Sequence, residues 1–154
     1  MAEKMLRVEK IKNGTVIDHI EAGRGEEVLR ALKGIEGRTV ILAVNVPSSR
    51  MGKKDILKIE DKYLAPPEYS HVALVSPDAT VVTINDFGVT KKEKAELPAI
   101  IKGVVKCNNP SCVSNREPDV ASEFIVVEKK PARLKCMYCE QEMISVFAEK
   151  SRNG

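Results

Sequence analysis

The sequence predicts an α+β fold in two parts, a layer of strands packed with helices followed by a small all-β domain. Three observations lead to this prediction. Apolar runs of strand length alternate with two helical stretches up to residue 90, no helical run long enough to cover a sheet follows Cys107, and all four cysteines lie in the second part. The charged stretch KKEKAELP, residues 91–98, lacks aliphatic periodicity and ends in proline, so we place the boundary there.

The first part begins with a predicted strand, turn and strand. Residues 6–20 contain two short apolar runs on either side of Asn13-Gly14, a dipeptide that accepts the positive φ of a tight turn. Residues 25–35 then place apolar side chains on one helical face, which predicts a short amphipathic helix that ends at Gly34.

The middle of the first part is predicted to be mostly extended. Residues 39–46, TVILAVNV, are almost entirely aliphatic, which predicts a central strand covered on both faces. Proline, serines and glycine in residues 47–55 predict a loop. Residues 56–60 resume an extended pattern, in which Lys58 should point away from its apolar neighbours.

A second helix and two further strands complete the first part. Pro66 and Pro67 fit the first turn of a helix, which we expect near residues 67–73. HVALVS at 71–76 and ATVVTI at 79–84 have the apolar texture of strands. The order strand, helix, strand, strand, helix, strand predicts a ferredoxin-like αβ sandwich of the split βαβ kind.

The composition gives little support to strongly charged or membrane partners. The 154 residues are 43% hydrophobic, enough for one ordinary core or two small ones, and 25 basic against 22 acidic residues leave a formal charge of +3. No apolar run approaches the ~18 to 20 residues that crossing a bilayer requires. We therefore expect a cytoplasmic protein with no nucleic acid and no membrane among its partners.

The four cysteines occur in two close pairs. CNNPSC holds Cys107 and Cys112, and CMYC holds Cys136 and Cys139. Two tight turns that each present two thiolates suit one tetrahedral Zn²⁺, and four protein ligands leave no position for a substrate. We expect a structural zinc in a small rubredoxin-like ribbon, whose folding the metal would stabilise. Two disulfides, a redox dithiol and an iron centre are the alternatives, and spacing alone does not separate zinc from iron.

Polar residues in the first part leave two interpretations open. Asp18 and His19 interrupt the apolar strand TVIDHI, and adjacent strand residues face opposite ways, so at least one should meet solvent or a ligand. The basic loop RMGKKD with Lys58, and the run KKEK at 91–94, are either solvated surface or groups that converge on phosphates. The pattern alone does not decide between them.

Catalysis has little support in the sequence. His19 and His71 are the only histidines, no serine lies in a nucleophile elbow, and a metal would occupy every cysteine. We therefore expect a non-catalytic chain.

Four stretches together resemble one family. NGTVIDHI, NVPSSRMGKKDILKIE, CNNPSC and CMYCE resemble the regulatory chain of aspartate carbamoyltransferase, in order and over essentially the whole chain. The resemblance implies an allosteric domain over residues 1–98 that binds CTP and ATP, with UTP as a further candidate. It also implies a zinc domain over residues 99–154 that docks on the catalytic chain, and homodimers of regulatory chains, in pyrimidine biosynthesis.

The resemblance extends to individual residues. Backbone groups from Glu9 to Ile11 would face the base of the effector. The side chains implied near the ribose and base are Asp18 and Lys58, and those implied near the triphosphate are His19 and Lys92, with Lys54 as a further candidate. In the zinc domain, Asn109 and Glu140 match positions that contact catalytic chains.

A nucleic-acid-binding zinc ribbon is the alternative from another class of protein. It would need a basic face with stacking aromatics, and residues 99–154 hold only Phe124, Tyr138 and Phe147. On the regulatory interpretation, CTP and ATP compete for one site and shift the sheet and a hinge at residues 91–99.

Overall fold

The computed structural model describes residues 10–144. The chain divides into two compact units, one comprising residues up to Leu64 together with Ala79–Lys94, and one comprising Ala65–Asp78 together with the residues from Ala95 onward. The predicted boundary between residues 98 and 99 stays a prediction about where an independently folding domain ends. Within residues 10–144, no helix is long and apolar enough to cross a lipid bilayer.

The first unit is an antiparallel sheet with one short helix. Its elements are β1 Gly14–Glu21, α1 Gly25–Ala31, β2 Val40–Ser48, β3 Gly52–Glu60, β4 Thr80–Asn85 and β5 Gly88–Lys94. The strand order in the sheet is β2-β3-β1-β4-β5, and every pairing is antiparallel. A second helix, α2 at Pro66–Val75, lies between β3 and β4 in the chain. This order of elements and strands confirms the predicted α+β arrangement of the split βαβ kind.

One face of the first sheet carries its buried core. Ile17 of β1 pairs with Leu57 of β3 on one side and with Val81 of β4 on the other, and all three are fully buried. Ile59, two residues beyond Leu57, is also fully buried, whereas Lys58 between them is half-buried. The strand period of two therefore separates a core face from a second face, as predicted for Lys58.

The strand TVILAVNV was expected at the centre of the sheet, and this is wrong. It forms β2, which lies at the edge of the sheet. All nine of its residues are half-buried or exposed, and Val44 is 52% exposed. Apolar composition predicts a strand, but it does not report how many neighbours the strand has. The loop expected over residues 47–55 is also shorter, because Ser48 of β2 already pairs with Gly52 of β3.

Three other boundaries differ from the predictions. The helix α1 ends at Ala31, since Leu32 is extended with ψ 149°. The stretch HVALVS, expected as a strand, lies largely in α2, where Glu68 Oε1 accepts a hydrogen bond from Ala65 N at 3.0 Å and caps the first turn. Its consecutive apolar residues are buried all round, so neither a period of two nor one of 3.6 is visible. Residues 91–94, expected in a linker, belong to β5.

The second unit contains α2 and a small sheet. Its remaining elements are β6 Ile100–Lys102, α3 Val113–Arg116, β7 Glu123–Lys129, β8 Ala132–Cys136 and β9 Glu142–Ile144. The strand order is β6-β7-β8-β9. The alternating stretch SEFIVVEK at 122–129 and the stretch ARLKC at 132–136 predict strands, and they form β7 and β8, whereas the sequence does not predict β6 or α3. The stretch ISVFAE at 144–149 also predicts a strand; Ile144 lies in β9, and the rest lies outside the described residues.

The core of the second sheet is small and lies against the cysteines. Phe124 is 1% exposed and pairs with Cys136 across β7 and β8. Leu134 is fully buried, and Met143 pairs with it from β9. His71 of α2 adds a contact within this unit, because its Nε2 lies 2.8 Å from the carbonyl oxygen of Val104. So few large apolar side chains give a core that needs additional support.

Candidate functional site

The four cysteines form one cluster in the second unit. Their Sγ atoms all lie within 4.8 Å of one another. Cys107 and Cys139 Sγ are 3.7 Å apart, as are Cys112 and Cys136 Sγ. A tetrahedral metal with thiolates at about 2.3 Å sets its sulfurs roughly 3.8 Å apart. The donor set and its spacing therefore fit a single tetrahedral metal ion.

Each cysteine pair lies on a tight turn that aims backbone N–H groups at sulfur. In the first turn, Asn109 N approaches Cys107 Sγ at 3.5 Å, and Cys112 N donates to the carbonyl of Asn109 at 3.0 Å. In the second turn, Tyr138 N approaches Cys136 Sγ at 3.4 Å. Such N–H contacts stabilise negative charge on sulfur, which is the form that binds metal.

Asn115 fastens the first cysteine turn and was not identified from the sequence. Its Nδ2 donates to the carbonyl of Cys107 at 2.9 Å and to that of Asn109 at 2.7 Å. It lies on α3, which begins directly after Cys112. One amide side chain thereby joins the short helix to the loop that carries two metal ligands.

The thiols of the cluster differ strongly in acidity. Burial raises the pKa of Cys107 to about 12, partly offset by the backbone hydrogen bond from Asn109. A backbone hydrogen bond from Gln141 lowers the pKa of Cys139 to about 7, against the effect of burial. Four thiols this close cannot all ionise unless a cation replaces their protons.

A second cluster of polar residues lies on β1 of the first unit. Asp18 Oδ1 forms an ion pair with Lys54 Nζ at 3.0 Å, with side chains only 26% and 16% exposed. His19 Nδ1 lies 3.2 Å from Thr80 Oγ1. Thr80 pairs with Asp18 across β1 and β4, so its side chain shares the face of Asp18.

A bulge brings Asp18 and His19 to the same face of the sheet. Ile17 pairs with Leu57 and Ile20 with Asp55, so two residues of β1 oppose one residue of β3. His19 has φ 56°, a left-handed conformation that a regular strand does not contain. The expectation that these neighbours face opposite ways holds for a regular strand, and the bulge overrides it.

Burial and the charges around the bulge shift the pKa values of Asp18 and His19. Burial raises the pKa of Asp18, but hydrogen bonds from Lys54 Nζ and His19 N, with the charge of Lys54, bring it below its ordinary value. Burial lowers the pKa of His19; the Asp18 carboxylate raises it, and three cations, Lys54, Arg50 and Lys92, lower it further. Asp18 is therefore ionised at neutral pH, and His19 lies in a positive environment.

Two more lysines lie on this face in one cross-strand row. Val16 pairs with Lys58 on β3 and with Val82 on β4, and Val82 pairs with Lys92 on β5. Val16 and Asp18 are two residues apart on β1, so the row shares the face of Asp18. Lys58 is half-buried and Lys92 is exposed. The face therefore carries Asp18 and His19 with Lys54, Lys58 and Lys92, and it also carries Lys94, which pairs with Thr80, and Glu60, which pairs with Gly14.

The segment before β1 lies over the same face. Ile11 is 3% exposed and packs with Val82, Ile84 and Val16. Hydrogen bonds fix the residues after it, since Phe87 N donates to the Lys12 carbonyl at 2.8 Å. Glu9 lies outside the described residues, so its expected contact with the base stays a prediction.

The structure brings some of the residues predicted from the sequence into contact and places others only on the same face or turn. Asp18, His19 and Lys54 are in contact or share a partner, Ile11, Lys58 and Lys92 lie on the same face, and Asn109 and Glu140 lie on the two cysteine turns. Thr80, Asn115 and Asp55 also contribute to these sites, and no motif in the sequence marks them.

Comparison with known proteins assigns two consecutive stretches of the chain. Residues 6–96 match the family model of the aspartate carbamoyltransferase regulatory chain, allosteric domain, and residues 99–146 match that of the metal binding domain. The chain belongs to the family of aspartate carbamoyltransferase regulatory chains. It is thus a regulatory, non-catalytic chain with an allosteric and a metal-binding domain, as expected.

Curated relatives agree along nearly the whole length of this regulatory chain. The aspartate carbamoyltransferase regulatory chain of Pyrococcus abyssi is 46% identical over 146 residues, which cover 93% of this chain and 94% of the relative. That of Saccharolobus solfataricus is 49% identical over 137 residues, covering 88% and 86%. That of Methanothrix thermoacetophila is 43% identical over 151 residues, covering 97% and 98%.

Proposed function

We propose that this regulatory chain binds CTP and ATP, with UTP as a further candidate ligand, on the face of the first sheet that carries Asp18, His19, Lys54, Lys58 and Lys92. One observation carries the proposal. A β-bulge and a cross-strand row bring these five side chains, which come from three separate stretches of the sequence, to one face. Three lysines and an imidazole give that face the charge that a triphosphate requires.

The groups on this face have separable roles in the proposed site. Lys92 and His19 face the triphosphate, and Lys58 lies near the ribose and base beside the segment of Ile11. Asp18 would repel phosphates if it were alone. Its ion pair with Lys54 at 3.0 Å neutralises it and holds the lysine at the site, so the carboxylate can accept a hydrogen bond from a ribose hydroxyl.

A matched pair of lysine variants tests the nucleotide site. Lys92 pairs with Val82 on the proposed face, and Lys91 pairs with Thr83 on the other face. Both lysines are exposed and adjacent, so their removal changes net charge equally. We expect Lys92→Ala to weaken CTP binding about tenfold or more by calorimetry, and Lys91→Ala to leave it nearly unchanged. If both variants weakened CTP binding equally, the loss would reflect general surface charge, and the proposed site would be wrong.

We assign the metal to one structural zinc per chain, held by Cys107, Cys112, Cys136 and Cys139. Four thiolates satisfy a tetrahedral ion completely, so the metal would stabilise the fold and not bind substrate. Metal analysis of the purified chain should give one zinc per polypeptide. Iron at that stoichiometry, with the absorption bands of a thiolate-iron centre, would contradict the assignment.

The cysteine turns also suit the proposed contact with the catalytic chain. Val113, Met137 and Tyr138 are each more than 40% exposed although they are large and apolar, and Asn109 and Glu140 lie beside them in the same turns. Apolar residues with polar neighbours are typical of a protein interface. We expect Tyr138→Ala to weaken assembly with the catalytic chain without loss of bound zinc.

The edge strand β2 supports the proposed homodimer. Within residues 10–144, no strand pairs with its outer edge, and exposed Val44 adds apolar surface along this nine-residue strand. Two copies that paired these edges would continue the sheet across a twofold axis. We expect Val44→Lys to raise the dissociation constant of the dimer, measured by analytical ultracentrifugation.

Regulation also requires that nucleotide binding differ between two states of the assembly. CTP and ATP would compete for the same face, and each would have to bind two assembly states with different affinity. The hinge expected at residues 91–99 includes the end of β5, so a ligand that contacts Lys92 acts on the strand that leads into this segment. ATP should therefore displace CTP competitively in a calorimetric titration, and simultaneous binding of both would contradict a shared site.

A further inference from the structure

A buried carboxylate that takes no part in the proposed ligand contacts lies beside the bulge. Asp55 on β3 is 1% exposed. Its Oδ2 accepts hydrogen bonds from Gly23 N at 3.0 Å and Gly25 N at 2.9 Å, and its Oδ1 accepts one from Asn45 N at 2.9 Å. A carboxylate can accept all three bonds because it is an acceptor at both oxygens.

Asp55 lies where bulges in two neighbouring strands meet. On one side, Asp18 and His19 of β1 together oppose Ile56. On the other side, the register between Ala43–Ile56 and Val46–Lys54 leaves two residues of β2 opposite Asp55 alone. Each bulge contains a non-glycine residue with positive φ, His19 at 56° and Asn45 at 59°. Such residues are costly unless the surroundings hold them in place.

The carboxylate supports the β2 bulge directly and the β1 bulge through the residues that follow it. It accepts hydrogen bonds from Asn45 N within the β2 bulge, from Gly23 N in the turn after β1, and from Gly25 N at the start of α1. The fit is tight, since a Cβ added to Gly25 would lie 2.9 Å from Asp55 Oδ2 and 2.7 Å from Leu42 Cδ1. The neighbouring residue, Lys54, forms the ion pair with Asp18.

Without the Asp55 carboxylate, the β1 bulge could relax and change the face on which His19 lies. If the β1 bulge relaxes to a regular strand, the period of two sends His19 to the face opposite Asp18. We propose that Asp55 is a positioning residue of the effector site, an inference that rests on the proposed function: its carboxylate holds the paired bulges that direct His19 and Lys54, beside Asp18, toward the phosphates of a nucleoside triphosphate.

The test compares a triphosphate with its nucleoside. Loss of the bulge should weaken contacts to the phosphates while contacts to base and ribose persist. We therefore expect Asp55→Asn in the zinc-loaded full chain to lower the ratio of CTP to cytidine affinity about tenfold by calorimetry. Asparagine preserves the shape but turns one acceptor oxygen into an NH₂ group, which would face a backbone N–H.

Thr15→Val is the matched control for a general loss of stability. Thr15 lies on β1, the strand that contains the His19 bulge, is 1% exposed, and donates from Oγ1 to the Lys62 carbonyl at 2.6 Å on the core face. Its replacement also removes a partly buried hydrogen bond, but it leaves the bulges intact. The CTP to cytidine ratio should stay at the wild-type value in this variant.

The results separate a failure of the Asp55 positioning role from a failure of the triphosphate site itself. An unchanged ratio in Asp55→Asn, or an equal fall in Thr15→Val, overturns the positioning role. A wild-type chain that binds CTP no better than cytidine overturns the triphosphate site and this inference together. If Asp55→Asn does not fold, Gly25→Ala displaces the same carboxylate without removing its charge and should lower the same ratio.

Discussion

We expect the Asn115→Ala variant to bind zinc more weakly than the wild-type chain. The Nδ2 group of Asn115 donates to the carbonyls of Cys107 and Asn109, and these two bonds hold the loop that carries Cys107 and Cys112. A neutral hydrogen bond contributes about 1 kcal/mol net, so the loss of two costs about 2 kcal/mol. Because metal binding and loop folding are coupled, this corresponds to a roughly 30-fold weaker apparent zinc affinity.

Ser111→Ala is the matched control for this prediction. Ser111 lies in the same loop with an exposed side chain, and its contact with Asn109 Oδ1 uses the backbone N–H, which alanine retains. The measurement is competition for zinc by a chromophoric chelator, with thermal unfolding in parallel. If Asn115→Ala and Ser111→Ala have the same zinc affinity and midpoint, the Asn115 side chain does not stabilise the loop.

Three further predictions concern pH and packing. The pKa of folded Asp18 lies below its ordinary value, so its stabilising contribution is complete at neutral pH and is lost as pH falls below about 4. Asp18→Asn should therefore reduce the slope of the unfolding free energy against pH in that range, measured by denaturant unfolding. Burial and nearby cations lower the pKa of His19, and a bound triphosphate would raise it. CTP binding should therefore strengthen as pH falls from neutrality toward that lowered pKa, with uptake of a proton, and His19→Gln should abolish both effects in calorimetry at several pH values. Phe124→Ala should destabilise the second unit by about 3 to 5 kcal/mol in urea unfolding of the zinc-loaded chain, and a loss below 1 kcal/mol would contradict its place in the core.

The cysteine cluster could be predicted from the sequence because the spacing of the cysteines largely determines it. Cys-x4-Cys and Cys-x2-Cys each fit one tight turn, and the structure places all four sulfurs within 4.8 Å. Asn115 could not be predicted in the same way. Its contacts depend on the one-turn helix α3, and a helix of four residues leaves no periodic signal.

Regular strand alternation explains only part of the proposed nucleotide face. Lys58 was correctly placed opposite the core, since alternation applies to that part of β3. Alternation does not predict the common face of Asp18 and His19, because a bulge shifts the period by one residue. The proposed support for the bulges comes from Asp55, which is far from His19 in sequence and resembles a surface acid in the basic loop RMGKKD. Likewise, the apolar run of β2 indicates a strand but not its edge position.

Regulation of the catalytic chain by a nucleotide on the Lys92 face can be tested directly. The experiment reconstitutes the zinc-loaded regulatory chain with its catalytic chain and measures how CTP changes the dependence of activity on aspartate. We expect CTP to alter this dependence with the wild-type chain and with Lys91→Ala, and the response to be lost or strongly weakened with Lys92→Ala. An undiminished response in the Lys92→Ala assembly would contradict the proposed site.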